Sequence, residues 1–529
     1  MNERVPTESN MDKNDIPSDP DALRDLLFAQ DEKLLKAANA LANKIKSIPI
    51  DPKFPNSEPR ALLVGGFVRD AMLGLNPKDA DLEVYGVSSN RLEQFLEQVF
   101  PGRVNAVGKS FGVYKVAISS QPVAHSPQPI ARLELDISIP RRESKTGKGH
   151  KDFTVKGDPS MPIKEAARRR DFTMNALAAD PLSGEIFDEF GGLDDLRSGT
   201  LRVTDPERFQ DDALRVYRAL QFAARMDLEA DPKSLELMKE MVDRGDMDDL
   251  SKERVTEEMH KLLMKAERPS VGFELARELG IIEKYYPELN ALIDLPQEKE
   301  WHPEGDAWTH TMLVLDEAAK IIRDEARELT NAEKRQIMLG SLCHDLGKAT
   351  TTEEVDGRIK SYNHEMKGKE PAKAMLKKWT FSDTDVDAAV VITTEHLKPI
   401  QHERALKDGD LDERRFVNVV RKLLKRIDPT SWKVLIAGSE ADVRGRTIPG
   451  ARAEADATHE LYERIILEHK LYEEPAKPLI QGRDLIKLGL VPGQSFGKII
   501  NEVEEARDAG ALTTPEEALE FVKGRFLSE

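Results

Sequence analysis

The 529-residue sequence predicts an α+β fold in two regimes: a head built on a small mixed β-sheet, then an all-helical remainder. Three observations predict it. The stretch 62–85, LLVGGFVRDAMLGLNPKDADLEVY, reads as strand, glycine turn, helix and strand in succession. Two further segments, 112–118 (GVYKVAI) and 132–139 (RLELDISI), alternate apolar and polar residues at the period of a half-buried strand. Beyond about residue 200 the apolar residues recur at the spacing of helices.

Length and composition set bounds on function. A chain of 529 residues holds three or four domains. The formal net charge of -18 argues against a general coat for nucleic acid, since long-range steering would repel phosphate; any such contact must use local basic patches. The single cysteine, Cys343, excludes an intramolecular disulfide framework and is taken to exclude any cysteine-based zinc site. No apolar run reaches the length of a membrane span, and no basic segment followed by an apolar one opens the chain. A cytoplasmic location is expected.

In chain order, residues 1–21 are polar and aperiodic and read as a disordered tail. Segment 22–57 is an N-terminal helix with apolar positions at Leu26, Leu34, Leu35, Ala38, Leu41 and Ile45. The head spans 58–200. Gly65 and Gly66 lack Cβ, so backbone N–H groups can approach an anion closely, and the helix that follows adds its positive end; Arg69 lies one turn further on. After the Asn76-Pro77 turn, Asp79 and Asp81 stand two residues apart, which puts both carboxylates on one face of an extended segment, with Glu83 continuing the row. Paired carboxylates of this kind make a divalent-metal site. Asp136 is either a third acidic group beside them or an ordinary strand-face carboxylate. Segment 119–129 is a Pro-rich hairpin insert, and 141–153 (RRESKTGKGHKDF) a basic, aperiodic loop suited to a phosphate backbone.

A helix over 163–179 carries Arg168, Arg169, Arg170 and Asp171. The neck, 201–297, contains a single helix over 205–226. Its apolar stripe runs through Ala213, Val216, Tyr217, Leu220 and Ala224, with Asp211, Asp212, Arg215 and Arg218 opposite. A further helix over 251–265 starts at Ser251, with Arg254 and Glu257 bracing the helix before it.

The run GGFVRD followed by DAD resembles the nucleotidyltransferase signature of tRNA CCA-adding enzymes and bacterial poly(A) polymerases. RRDFTMNALA, IFDEFGGLDDL, DDALR and 251–265 resemble that family's later motifs in order, with Asp211 standing where Glu is usual. The resemblance implies that Asp79 and Asp81 are catalytic and bind Mg²⁺, and that Gly65, Gly66 and Arg69 hold phosphates. It also makes Arg170 a nucleotide-binding arginine with Asp171 as its partner, and makes Asp212 and Arg215 select the base, with Arg218 beside them. Cytosine and adenine both present an amino donor beside a ring-nitrogen acceptor, so one carboxylate and one guanidinium pair with either. Implied partners are tRNA, CTP and ATP, with no membrane.

Downstream, His310, the pair His344-Asp345, His364, His396 and Asp442 are spread over apolar helices in segment 298–455. This ordered set resembles the HD phosphohydrolase domain. By that resemblance His310, His344, Asp345 and Asp442 hold a divalent metal, while His364 and His396 flank a second metal or a phosphate; imidazole with carboxylate suits Ni²⁺ or Mn²⁺. A C-terminal helical tail occupies 456–529. The reaction the whole set implies is template-independent addition of CCA to tRNA 3′ ends with release of pyrophosphate, beside phosphohydrolase chemistry. The alternatives are a poly(A) polymerase or partial CC- or A-adding enzyme with the same head, and an HD phosphohydrolase whose head is a relic.

Overall fold

The computed structural model describes residues 13–30, 32–75, 77, 79–108, 113–117, 134–145, 153–472, 479–508, 511–512 and 514–527. The 119–129 insert, the first part of the tail, Asn76 of the expected turn and most of the glycine-containing part of the basic loop lie outside that set. The chain divides between Tyr285 and Tyr286 into two compact units.

The first unit is built on strands β1 (Arg60–Val64), β2 (Ala80–Tyr85), β3 (Val104–Gly108), β4 (Val113–Ala117) and β5 (Glu134–Ser138). A hairpin of β6 (Arg141–Lys145) and β7 (Phe153–Gly157) follows, then the two-residue strands β8 (Ala178–Ala179) and β9 (Ile186–Phe187). The main sheet runs β3-β4-β5-β2-β1-β8-β9. It is mixed, as expected: β2 and β5 are parallel and the other neighbours antiparallel. Ala61 to Val64 are all buried because β1 sits inside the sheet, where a continuous apolar run belongs.

Four local expectations are corrected. The basic segment after β5 is not a loop at its ends but the β6–β7 hairpin, whose ladder sequence periodicity does not announce. The expected N-terminal helix is two, Pro20–Phe28 and Glu32–Lys46, the first started by Asp19 capping Ala22 N with Pro20 at its first position. The helix expected over 163–179 stops at Arg168; Phe172 is extended and bridges Val203, and a 3₁₀ turn Thr173–Asn175 leads into β8. The single helix over 205–226 is also two. Asp205 caps Pro206–Phe209, and the Asp212 side chain accepts from Leu214 N to begin Leu214–Met226. Asp211 and Asp212 therefore sit in a turn rather than on a helix. Phe172 locks these pieces together, packing edge-on against Phe209 at 5.6 Å and Phe222 at 5.9 Å.

Among the described residues the second unit is helical apart from one small hairpin, Thr352–Val355 with Arg358–Ser361. Ala307–Ile321, Asn331–Cys343, Asp383–Glu395 and Trp432–Gly445 pack together as its core. Ala451–Glu468 closes one side, packing Tyr462, Ile465 and Ile466 on Phe416 and Val420. At the C-terminal end Gly482–Lys487, Gln494–Asp508 and Pro515–Phe526 enclose a small core of their own around Leu485, Ile499, Val503 and Val522.

Candidate active sites

In the first unit the strand register assembles an acidic wall. Asp81 pairs across the sheet with Val64 on one side and Asp136 on the other. Asp79 stands one residue before β2 and is exposed. Asp136 is thus the third acidic group: Lys115 Nζ donates to its Oδ2 at 2.9 Å, while Oδ1 is buried without a hydrogen-bond partner. The Asp81 carboxylate opens onto a cleft, where desolvation raises its pKa; Arg170 opposes that shift, and Asp136 and Asp79 add to it. Crowded carboxylates with an orphaned oxygen fit a divalent cation. Glu83 leaves the row. It is buried and accepts from Arg169 Nη2 at 2.8 Å and Tyr85 Oη at 2.7 Å, which makes it a structural acid.

The cleft has a volume of about 870 Å³, and Gly65, Gly66, Arg69, Asp81, Asp136 and Arg170 line one side of it. Gly65 has φ of +68°, and a Cβ there would stand 3.2 Å from the Arg170 guanidinium, so glycine is needed for both backbone and space. Its N–H is spent on Leu177 O at 3.0 Å, which leaves the other N–H groups of the turn for an anion. Arg69 is held on the wall by Asp70 (Nε to Oδ1, 2.7 Å) and Asn175 (Nη1 to Oδ1, 2.5 Å).

Asp171, Asp212, Arg215 and Arg218 line the same cleft. Asp171 takes Arg218 as its partner: Nε donates to Oδ2 at 2.6 Å, and Asn175 and Phe172 N donate to Oδ1. Burial alone would raise its pKa, but Arg218 and these donors hold it below the usual carboxylate value. Asp212 Oδ2 accepts from Arg254 at 2.7 Å, so Arg254 braces Asp212, while Glu257 bonds Lys261 on its own helix instead. Arg215 is fixed by two main-chain carbonyls, Arg208 O at 2.6 Å and Arg169 O at 2.7 Å. A carboxylate and a guanidinium immobilised on one cleft wall form a rigid acceptor–donor pair. Sequence reasoning missed Arg225 and Lys265, which line the same cleft. Arg225 follows Arg218 by two helical turns, and that spacing could have found it; Arg69, Arg218 and Arg225 surround the Phe222 ring at 5.1, 5.2 and 5.9 Å.

In the second unit all six predicted residues converge. His310 Nε2 lies 3.0 Å from Asp442 Oδ1 and 3.7 Å from Asp345 Oδ2. His344 Nε2 and His364 Nε2 lie 3.3 Å from the two oxygens of Asp345. The His396 ring stands 5.3 Å from His344 and 5.6 Å from His364. The far side of each ring decides its tautomer. Nδ1 of His344, His364 and His396 faces the carbonyl of Ser341 (2.8 Å), Ser361 (2.9 Å) and Thr393 (3.1 Å), and a carbonyl only accepts, so each Nδ1 donates. Nε2 then carries a lone pair aimed at carboxylate oxygens, or left orphaned and buried in His344. A proton on Nε2 or a cation between the groups satisfies lone pairs that face carboxylates, and this donor set fits a divalent metal. Although burial opposes ionisation, Asp345 is held well below the usual range by His344 and Lys348, and Asp442 by Arg446 and His310. Burial pushes His396 down to about 3, which keeps it neutral. Lys348, 2.7 Å from Asp345 Oδ2 and bonded to Gln297, had no distinct signal in the sequence.

Residues 61–202 match the poly A polymerase head domain, 227–293 the probable RNA and SrmB-binding site of polymerase A, and 307–432 the HD domain. The multifunctional CCA protein of Xanthomonas campestris is 34% identical over 391 residues, 73% of this chain and 85% of that protein. The chain belongs to the family of CCA-adding enzymes and poly(A) polymerases that carry an HD domain. The multifunctional CCA protein of Actinobacillus pleuropneumoniae is likewise 34% identical over 388 residues, 73% of this chain and 85% of its own length. Solved CCA-adding enzymes share the fold: an apo form has a TM-score of 0.59 at 20% identity, covering 95% of this chain and 98% of that one. The Thermotoga maritima enzyme complexed with tRNA has a TM-score of 0.55 at 19% identity, covering 95% and 98%. Asp211 lies half-buried on the cleft wall, 3.8 Å from Arg208.

Proposed function

We infer that the chain is a CCA-adding tRNA nucleotidyltransferase, building CCA on tRNA 3′ ends from CTP and ATP with release of pyrophosphate. The observation that carries this reading is that Asp81 and Asp136 line the same cleft as the immobilised Asp212 and Arg215. Asp79 and Asp81, joined by Asp136, would hold Mg²⁺, which when bound supplies Lewis-acid activation of the primer hydroxyl and charge neutralisation on the triphosphate. The Gly65-Gly66 turn, Arg69 and Arg170 bind the phosphates and orient the α-phosphorus. Asp212 accepts and Arg215 donates, which matches the edge shared by cytosine and adenine; uracil and guanine face each group with the wrong polarity. Asp171 sets the position of Arg218 on the same wall. Head 58–200, neck 201–297, HD region 298–455 and tail 456–529 are the working division, and the chemistry suits a cytoplasmic enzyme.

A second activity is favoured by the histidine–aspartate cluster. His310, His344, Asp345 and Asp442 would hold a metal such as Ni²⁺ or Mn²⁺, with His364 and His396 beside it, for hydrolysis of phosphate esters. Incubating the protein with tRNA lacking its CCA end and each labelled nucleotide tests the first reading. Incorporation of C, C and A in order is expected; a poly(A) tract, or A alone, would replace this reading with the polymerase or partial-enzyme one.

A further inference from the structure

We propose that Glu304 is the positioning residue of the histidine–aspartate cluster, setting the tautomer of His310 and tying it to Asp442. This rests on the reading of that cluster as a metal site. Glu304 lies in the loop before Ala307–Ile321 with its side chain only 1% exposed. One oxygen, Oε1, faces Nδ1 of both His302 (2.9 Å) and His310 (2.8 Å). An ionised carboxylate only accepts, so both rings carry their proton on Nδ1, and His310 presents its Nε2 lone pair to the cluster. The other oxygen accepts from Thr447 N at 3.3 Å and Thr447 Oγ1 at 3.4 Å. Thr447 directly follows Arg446, whose Nη2 donates to Asp442 Oδ2 at 2.7 Å. His310 Nε2 and Asp442 Oδ1, 3.0 Å apart, are thus each held from behind, and the two supports meet at Glu304.

Glu304 differs from the other supports in kind. His344, His364 and His396 are oriented by neutral main-chain carbonyls, whereas His310 is oriented by a charged group. A carboxylate behind an imidazole raises its basicity as a ligand as well as fixing its angle, so His310 becomes the strongest imidazole donor of the set. His302 completes the arrangement, its ring edge-on to His310 at 4.6 Å, which restricts rotation of the imidazole it touches. Neither His302 nor Glu304 belongs to the histidine–aspartate set read from the sequence. The Glu304 contacts to Thr447 cross a long stretch of chain.

The test is Mn²⁺ titration of the full-length protein by calorimetry, in wild type, Glu304→Gln and Glu304→Ala. Removing an outer support of a metal ligand weakens binding about 10- to 100-fold. Glu304→Ala, which leaves His310 Nδ1 free to lose its proton, should show the larger loss; Glu304→Gln keeps an acceptor oxygen without the charge and should fall between. The melting temperature without metal and the rate of CTP incorporation should stay within error of wild type for Glu304→Gln. Wild-type Mn²⁺ affinity in both variants overturns the proposal alone. So does a loss of affinity that merely follows a lower metal-free melting temperature, because a purely structural role would give that result. Absence of Mn²⁺ binding in wild type overturns the metal reading and this proposal with it.

Discussion

Desolvation in the cleft and the neighbouring carboxylates of Asp136 and Asp79 work against the charge on Asp81, the Arg170 guanidinium works for it, and its role follows from their balance. A cation placed between the carboxylates relieves repulsion that Arg170 only partly offsets, so Asp79→Ala or Asp81→Ala should each abolish nucleotide incorporation while leaving the melting temperature near wild type. Residual activity above about a tenth would sink the metal-holding role. The proposed role of Asp212 and Arg215 makes a different prediction, about discrimination rather than rate. Asp212→Ala removes the acceptor that penalises UTP and GTP and should relax selectivity by roughly 5- to 150-fold, the equivalent of about 1–3 kcal/mol for one unpaired group. Arg215→Ala should weaken CTP and ATP alike. Competition assays with paired nucleotides separate these outcomes, and unchanged preference in both variants would return Asp212 and Arg215 to the status of a braced surface turn.

At the scale of elements, what the sequence showed and what it hid divide along a physical line. Strands β4 and β5, the glycine turn and the Lys252–Lys265 helix declare themselves through local period, and each stands close to where its pattern puts it. The break between Phe209 and Leu214 does not, because it depends on an Asp212 side chain competing with the helix for Leu214 N. The β6–β7 hairpin and the bonds of Asp171 to Arg218 and Glu304 to His310 are likewise set by partners that pattern does not locate. Gly347 is another such position. A Cβ there would stand 1.9 Å from His364 O and 2.5 Å from Gly368 N, so this glycine lets the His344-Asp345 turn lie against the helix that carries His364. Gly347→Ala should destabilise the second unit by about 1–3 kcal/mol, read as a lower melting temperature, and should impair metal binding. Asp51 joins elements in the first unit. It accepts from Ser88 Oγ at 2.7 Å, at the start of Ser89–Val99, and from Lys53 N at 3.0 Å. The Ser88 hydrogen bond is the main cause lowering its pKa to about 2. A carboxylate lowered on folding stabilises above its unfolded pKa and loses that stabilisation as pH falls, here from about 4 down to about 2. Asp51→Asn should therefore cost about 1–2 kcal/mol at neutral pH, with the difference from wild type vanishing towards pH 2; a gap that stays constant across this range would show that ionisation of Asp51 contributes nothing.

At the scale of the whole molecule, two chemistries occupy one chain of net charge -18 without sharing a residue. The cleft draws every one of its groups from residues up to Lys265, and the histidine–aspartate cluster draws its own from Gln297 to Thr447, on the other side of the division at Tyr285. The overall acidity confines anion binding to places where cations are concentrated, and Arg69, Arg170, Arg218 and Arg225 make the cleft such a place. Independence of the two sites is then a consequence that can be measured. His344→Ala combined with Asp345→Ala removes the orphaned imidazole nitrogen and the carboxylate that meets His310, His344, His364 and Lys348, so no coherent donor set remains. Any Ni²⁺- or Mn²⁺-dependent hydrolysis of 2′,3′-cyclic nucleotides or phosphate esters should disappear in this variant. Incorporation of CTP and ATP into tRNA should persist at more than about half the wild-type rate, since no group of the cleft has changed. Because the exchanged residues are buried, the control is the melting temperature of the variant: with folding retained, hydrolysis lost and incorporation kept, the two sites act separately. A folded variant that loses both activities would mean that the cluster supports the transfer reaction itself, and a wild-type protein that hydrolyses no phosphate ester with any divalent metal would make the cluster a structural element of the second unit.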